Sequence, residues 1–250
     1  MKMRFDILTL FPEVIEAVVG SSIIGRARDK GMLEINCVQI RDFANNKHRQ
    51  VDDYPYGGGT GMVMQPQPIF DAYQSVCAGS ESKPYTVYMS PQGKTFRQST
   101  AKKLSKRDRV VILCGHYEGV DQRVLDEIVD EEISIGDFVL TGGEIAATAV
   151  VDATARLVPG VLKCEESFSE ESHYNGLLEY PQYTRPEIWH GKKVPEILLS
   201  GHHKNICAWK REMSIRTTFK KRRGMLAKAK LTKDETDLVE ELKNKNNKTF

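Results

Sequence analysis

The sequence predicts an α/β domain with a largely parallel sheet, followed by a small all-helical domain. Two observations lead to this prediction. β-Rich runs alternate with helical stretches over the first 155 residues, which is typical of β-α-β units. Beyond Pro181 the chain has few β-branched runs and two stretches of helical spacing. The domains are therefore predicted to span 1–162 and 177–250, with a linker over 163–176.

Local composition predicts the elements in chain order. Runs rich in apolar and β-branched residues predict five strands, over 4–10, 33–40, 85–89, 110–114 and 132–135. Helical spacing of apolar residues predicts five helices, over 66–76, 96–104, 143–157, 204–220 and 233–243. Pro159-Gly160 ends the third of these helices. Segment 163–176 is rich in Glu and Ser and has no periodicity, so it is predicted to be a linker or loop.

The bulk composition excludes several classes of protein. Of 250 residues, 40% are hydrophobic and 28% are charged, which is typical of a soluble globular protein and not of collagen-like or disordered chains. The apolar stretches are shorter than the roughly 18 residues of a membrane-spanning helix, so no membrane partner is expected. Asp6 interrupts the apolar N-terminal run and no small-residue cleavage site follows, which favours a strand over a signal peptide. A cytoplasmic protein is expected.

The cysteines and histidines do not predict a metal site. The five cysteines are scattered and contain no C-x-x-C pair, so neither a disulfide framework nor a cysteine-based zinc site is expected. His48, His173 and His190 lack the spacing of metal ligands. Nothing in the pattern predicts a requirement for Mg²⁺.

Charge is distributed unevenly along the chain. Residues 1–200 carry a net charge of −6 and residues 201–250 carry +8, and the excess lies in 201–230, where ten Lys or Arg face a single acid, Glu212. This segment also contains Trp209 and Phe219. Basic residues interleaved with aromatics are typical of a surface that binds RNA phosphates and stacks on bases. An ordinary solvated helix would show the same charge run.

Three glycine-bearing segments, 88–93, 113–119 and 135–144, each follow a predicted strand. Ligands bind open α/β sheets at the carboxyl ends of the strands, and glycine permits a close backbone approach. Each segment alone is more often a simple tight turn, but three together favour a nucleotide-sized pocket. G-x-G-x-x-G and P-loop patterns are absent, because Met62 stands where the third glycine of 57–62 would be. If the ligand is an adenosine compound, it is therefore expected to lack a phosphate group.

Several longer strings carry a family resemblance. They are YPYGGGTGMVMQP (54–66), SPQG (90–93), CGHYEGVD (114–121), EISIGDFVLTGGE (132–144), DATARLVPGVL (152–162), GLLEYPQYTRP (176–186) and LLSGHH (198–203). In order and spacing, from about residue 3 to about residue 224, the chain resembles the bacterial tRNA (guanine-N1)-methyltransferase family (TrmD) of the SPOUT superfamily. The resemblance implies the SPOUT fold, in which the chain forms a deep trefoil knot.

The resemblance also implies a reaction and its partners. The family transfers a methyl group from S-adenosylmethionine to N1 of guanosine 37 in the tRNA anticodon stem-loop. It is homodimeric, with the active site at the subunit interface, and the guanosine is expected to be turned out into the pocket. The matching strings imply that sixteen residues hold S-adenosylmethionine: Tyr88, Met89, Ser90, Pro91, Gly115, Tyr117, Glu118, Gly119, Ile135, Gly136, Asp137, Phe138, Val139, Leu140, Gly142 and Gly143.

Two catalytic residues follow from the same resemblance. The family's arginine corresponds to Arg156, which would stabilise charge on guanine O6. The family's base is an Asp in the loop before GLL, and the matching position here is Glu171, preceded by Glu170 as the alternative base. No Asp occurs between residues 153 and 233. Two other interpretations remain at this point: a non-catalytic RNA-binding protein with the same fold, and a SPOUT methyltransferase that acts on rRNA or on ribose.

Overall fold

The computed structural model describes residues 2–79, 82–162, 168 and 170–247. Contacts divide the chain into two compact units, Met1–Lys163 and Cys164–Phe250.

The first unit is built on a five-stranded sheet in which all neighbouring strands are parallel. In chain order the sheet strands are β1 (Met3–Thr9), β2 (Leu33–Gln39), β5 (Tyr85–Thr95), β6 (Arg109–Cys114) and β7 (Glu131–Ser134). Their order across the sheet is β2-β1-β6-β5-β7. Two-residue strands β3 (Asp52–Asp53) and β4 (Val63–Met64) pair separately. The predicted parallel sheet is therefore confirmed.

One strand is longer than its sequence predicts. The prediction ends at Met89, but β5 continues to Thr95 after an irregularity in which both Met89 and Lys94 pair with Ile133 of β7. The intervening residues 90–93 bulge out of the pairing. Composition does not reveal this continuation, because Pro91 and Gly93 are typical of a turn.

In the described part of this unit, six α-helices cover the sheet: α1 (Pro12–Val19), α2 (Ser22–Asp29), α3 (Pro66–Cys77), α4 (Gln98–Leu104), α5 (Gln122–Ile128) and α6 (Glu144–Ala155). The predicted helices correspond to α3, α4 and α6. Helices α1, α2 and α5 have only seven or eight residues and were not predicted, whereas the equally short α4 lies within the predicted stretch 96–104.

The core lies on both faces of the sheet. On β6, Val110 and Ile112 point to one hydrophobic cluster, while Val111 and Leu113 point to the other. The first cluster includes residues of α1, α2 and α6, and the second includes residues of α3 and α5. Burial on both faces explains why β6 is a continuous apolar run from Val110 to Cys114.

Among its described residues, the second unit contains three α-helices of four or more residues, α7 (Glu196–Leu199), α8 (His203–Lys221) and α9 (Lys233–Asn247), around a small core. That core is formed by Leu177, Ile215, Phe219, Leu226 and Val239. The prediction of an all-helical domain is wrong in one detail, because β8 (Ile188–Trp189) and β9 (Lys192–Lys193) form an antiparallel hairpin. His190 and Gly191 both have positive φ and make its turn. Within the predicted linker, residues 163–167 and 169 lie outside the described residues.

Candidate active site

A cleft of about 320 Å³ opens at the carboxyl ends of β5, β6 and β7 in the first unit. These strands are neighbours in the sheet, so the loops that follow them meet at one edge. Of the sixteen residues predicted to hold the cofactor, fifteen line this cleft, and Asp137 does not. The volume lies at the lower end of the range of small-molecule sites.

The first loop is the bulge of β5. The hydroxyl oxygen of Ser90 accepts a hydrogen bond from the backbone N–H of Gln92 at 3.2 Å, which closes a tight turn. A Cβ on Gly93 would lie 2.5 Å from the backbone carbon of Glu132, so glycine permits the bulge to fold back onto β7. The bulge thereby presents residues 90–92 to the cleft.

The second loop, 115–119, follows β6 and is joined to a glycine-rich segment. Glu118 donates its backbone N–H to the carbonyl of Met62 at 3.0 Å, and Met64 donates to the carbonyl of Gly119 at 2.9 Å. A Cβ on Gly61 would overlap the Glu118 side chain. Residues 61–64 therefore lie beside the loop 115–119, and glycine at position 61 leaves room for the Glu118 side chain.

The third loop, 135–143, begins after β7. Ser134 stabilises its start, because its hydroxyl accepts from the Gly136 N–H at 3.2 Å and donates to the Gly136 carbonyl at 2.9 Å. Phe138 and Val139 are exposed at the cleft. Large apolar side chains exposed at a cleft are typical of a binding surface.

Side chains that sequence reasoning missed join the second and third loops. His116 forms a β-bridge with Gly142, and Gly143 donates to the carbonyl of Gly115 at 3.0 Å. The Nε2 atom of His116 lies 2.7 Å from Oε2 of Glu144. The neighbours Gln92, His116, Glu132 and Thr141 also line the cleft. The only sequence signal for them is their position beside the predicted residues.

The charges of the cleft favour a ligand without phosphate. Among the described residues that line it, Glu118 and Glu132 are acidic and none is Lys or Arg. Burial, with a smaller contribution from Glu132, raises the pKa of Tyr88 to about 12, so this phenol is neutral at pH 7. Burial also raises the pKa of Cys114 well above its usual range, which excludes a thiolate nucleophile there.

The predicted catalytic residues fall in different units. Arg156 caps the carboxyl end of α6, and its backbone N–H donates to the carbonyl of Asp152 at 3.2 Å. Glu171 lies in the second unit, where its backbone N–H donates to Phe168 and its carbonyl accepts from Tyr174, at 3.2 and 3.3 Å. Both side chains are half-buried. Their roles stay predictions.

The basic segment 201–230 includes a cluster without carboxylate partners. Lys220, Lys221, Arg222 and Arg223, here called the basic cluster, are all exposed. No ion pair within the described part of the chain involves any of them, whereas Lys210, Arg211 and Arg216 pair with Glu170, Glu235 and Glu212.

The expected aromatic partners of this segment differ in exposure. Phe219 is only 7% exposed and belongs to the core of the second unit, so the expectation that it stacks on a base is wrong. The Arg223 guanidinium instead covers its ring at 4.3 Å. Trp209 is half-buried, and the more accessible indole is Trp189 of the β8–β9 hairpin, 61% exposed.

The described residues contain neither a metal-binding cluster nor a membrane-spanning helix. No group of three or more His, Cys, Asp or Glu side chains there is arranged to hold a metal ion. No helix in this part of the chain has the length and apolarity that crossing a membrane requires.

Comparison with known proteins shows extensive similarity. Residues 3–228 match the family of tRNA (guanine-1)-methyltransferases, TrmD. A tRNA (guanine-N(1)-)-methyltransferase of Ruminiclostridium cellulolyticum is 58% identical, over 90% of this chain and 97% of its own. Those of Clostridium beijerinckii and Alkaliphilus oremlandii are 56% and 52% identical, over 98% and 97% of this chain and the whole of their own.

Proposed function

The chain belongs to the tRNA (guanine-N1)-methyltransferase family, and we propose that it methylates N1 of guanosine 37 in tRNA with S-adenosylmethionine as the methyl donor. The family establishes the reaction, methyl transfer to N1 of a guanine in tRNA. The donor, the nucleotide position, the acting residues and the assembly are the proposal.

One observation supports the choice of donor most strongly. Three backbone loops enclose a cleft of about 320 Å³ that is lined by two carboxylates and, among the described lining residues, by no Lys or Arg. S-Adenosylmethionine has a neutral nucleoside and a positively charged sulfonium, and it has no phosphate that would require a cation. Its charge matches a cleft with Glu118 and Glu132 on its walls.

The two proposed catalytic residues have complementary tasks. N1 of guanine carries a proton, and the Glu171 carboxylate removes it as the new N–C bond forms. The electron pair left on the guanine ring spreads to O6, where the Arg156 guanidinium stabilises the negative charge. When bound, S-adenosylmethionine supplies the methyl group and its sulfur takes the electrons of the broken C–S bond.

The basic cluster supports a role in binding the anticodon stem-loop. Its four cations, Lys220, Lys221, Arg222 and Arg223, are exposed and have no ion pairs with described carboxylates, so no pair of that kind must break before phosphate binds. Exposed Trp189 lies beside Lys192 and Lys193 on the hairpin and offers a ring for base stacking.

Exposed apolar side chains on the first unit support a homodimer. Phe11, Val14 and Val18 are exposed at helical spacing along α1, and Ile145 is exposed on α6, which packs against α1. Such a surface is typical of a subunit interface. In this dimer Glu171 acts on substrate in the partner's cleft. The family resemblance further leads us to propose the trefoil knot and a cytoplasmic location.

A methylation assay tests the proposed function. The full chain is incubated with methyl-labelled S-adenosylmethionine and with tRNA transcripts that have either guanosine or adenosine at position 37. Label is expected in the guanosine transcript alone, as 1-methylguanosine after digestion. Equal labelling of both transcripts would contradict the position, and binding of S-adenosylmethionine without labelling of either would favour a non-catalytic RNA-binding protein.

A further inference from the structure

The buried carboxylate of Glu144 has no task in the mechanism above. Glu144 is the first residue of α6, is 4% exposed and does not line the cleft. Its Oε1 accepts a hydrogen bond from the hydroxyl of Thr9 at 2.6 Å, and its Oε2 lies 2.7 Å from Nε2 of His116. A carboxylate at this depth is costly unless such partners satisfy both oxygens.

The three side chains connect elements that are distant in sequence. Thr9 ends β1, His116 lies in the loop after β6, and Glu144 begins α6. The Thr9 hydroxyl also accepts from the backbone N–H of Phe11 at 3.0 Å, and the Phe11 ring lies against the His116 imidazole, with centroids 4.8 Å apart. The imidazole therefore contacts both the Glu144 carboxylate and the Phe11 ring.

This network lies where the second and third loops of the cleft meet. The backbone of His116 pairs with Gly142, and the N–H of Gly143 donates to Gly115. A Cβ on Gly142 would overlap the His116 ring and come within 2.6 Å of Glu144 Oε2. The paired side chains thus occupy the space that a side chain at position 142 would need. These contacts join the two loops directly.

We propose that Glu144 is a positioning residue for the methyl-donor site. Through His116 and Thr9 it fixes the distance between loops 115–119 and 135–143, so that their backbone groups meet the bound donor together. This inference rests on the proposed function, because it assigns the cleft to S-adenosylmethionine. His116 donates from Nε2 both as the imidazolium and as the neutral tautomer protonated there, so a neutral ring can maintain the contact.

The affinity for S-adenosylmethionine tests whether this network positions the loops 115–119 and 135–143. Calorimetric titration of the full chain, without tRNA, is expected to show about tenfold weaker binding for Glu144→Gln and for His116→Ala. His116→Gln keeps an N–H donor of similar reach, and its affinity is expected within about threefold of the wild type. His48→Ala, which changes an exposed histidine outside the cleft, is the matched control and is expected to bind normally.

Steady-state kinetics separate positioning from general damage. In Glu144→Gln the KM for S-adenosylmethionine is expected to rise about tenfold. The kcat at saturating donor and the KM for tRNA are expected to stay within about threefold of the wild type, because the catalytic groups are untouched. Thermal unfolding is recorded for every variant. If Glu144→Gln does not fold, Thr9→Val keeps the branched shape and removes the hydrogen bond to Glu144 together with the one from the Phe11 N–H, with an expected loss of about threefold.

Three outcomes would contradict these proposals. Unchanged donor affinity in folded Glu144→Gln and His116→Ala overturns the positioning role. An equal loss in His116→Ala and His116→Gln also overturns it, because the donor at that atom would then be irrelevant. Failure of the wild-type chain to bind S-adenosylmethionine overturns the proposed function itself, and with it this inference.

Discussion

Glu170 and Glu171 are adjacent in sequence, but the structure gives them different surroundings. The Glu170 carboxylate pairs with Nζ of Lys210 at 3.1 Å and accepts from the hydroxyl of Tyr180 at 3.1 Å. Glu171 lies one residue further along, in a turn, and its side chain is half-buried. To take the proton from N1, the Glu170 carboxylate would have to leave both Lys210 and Tyr180. This pairing counts against Glu170 as the base, and the assignment of Glu171 stays a prediction from the family resemblance.

At the scale of single residues, we predict the effect of removing the carboxylate of Glu171 or of Glu170. Glu171→Gln keeps the shape and removes the base, so the single-turnover rate of methylation is expected to fall by about 10²- to 10⁴-fold. Glu170→Gln is the matched control, and its rate is expected to stay within about threefold of the wild type. Its pairing with Lys210 is half exposed, so it contributes little to folding. An unchanged rate in Glu171→Gln would refute the assignment.

Arg156 yields a second prediction for a single residue. Arg156→Lys keeps a cation at the end of α6 but loses the planar fork of donors, so the chemical step is expected to slow by about 10²-fold. The KM for S-adenosylmethionine is expected to change little. Single-turnover and steady-state assays measure the two quantities. A variant whose kcat is retained while its donor KM rises would instead place Arg156 in donor binding.

At the scale of elements, β1 is joined to its neighbours by a buried charge. Asp6, 0% exposed, accepts hydrogen bonds from Arg4 at 2.8 Å, Asn36 at 3.0 Å and Arg109 at 2.8 Å. These residues lie on β1, β2 and β6. Burial opposes ionisation of Asp6, but the hydrogen bonds from Arg4, Asn36 and Arg109 outweigh it and lower the pKa of this carboxyl.

The lowered pKa of Asp6 predicts how stability depends on pH. Its contribution is fully present above the usual pKa of about 3.9 for Asp and is lost as the pH falls towards its folded-state pKa. At pH 7, Asp6→Asn is expected to lower the free energy of unfolding by about 3 kcal/mol, since it removes the buried carboxylate charge that Arg4 and Arg109 both contact. Urea unfolding between pH 3 and pH 7 measures this difference, which is expected to shrink below about pH 4. If the difference in the free energy of unfolding between the wild type and Asp6→Asn stays constant from pH 7 down to pH 3, ionisation of Asp6 is not the source of this stabilisation.

At the scale of the whole molecule, charge is separated between the two units. The cleft of the first unit is lined by carboxylates without Lys or Arg among the described residues, and the basic cluster lies on the second unit. The net charge of +2 conceals this separation. A cationic donor and a polyanionic RNA would each meet the unit whose charge is complementary.

This separation predicts that mutation of the basic cluster changes the KM for tRNA and leaves the KM for S-adenosylmethionine unchanged. Lys220→Ala/Lys221→Ala is expected to raise the KM for tRNA about tenfold and to reduce the slope of log affinity against log salt by about 1.5. The KM for S-adenosylmethionine is expected to stay unchanged. The control Lys30→Ala/Lys106→Ala removes two exposed lysines of the first unit and is expected to leave both values near those of the wild type. An equal rise in the KM for tRNA in both double variants would show that net charge alone is responsible.

The sequence by itself determined the strands of the sheet, the longer helices and the positions of the three loops. These features depend on residues close together in the chain: apolar runs make buried strands, and glycines follow where the strands end. The unusual strings also determined the family, and with it the reaction.

Only the tertiary structure decided which side chains meet. Thr9 and Glu144 are separated by 135 positions and share a hydrogen bond that no local pattern predicts. Phe219 has a basic neighbourhood in sequence, but it lies in the core because its helix turns that face inward. The bulge of β5 likewise depends on its pairing with β7. Such contacts depend on elements brought together by packing, so short-range propensity does not contain them.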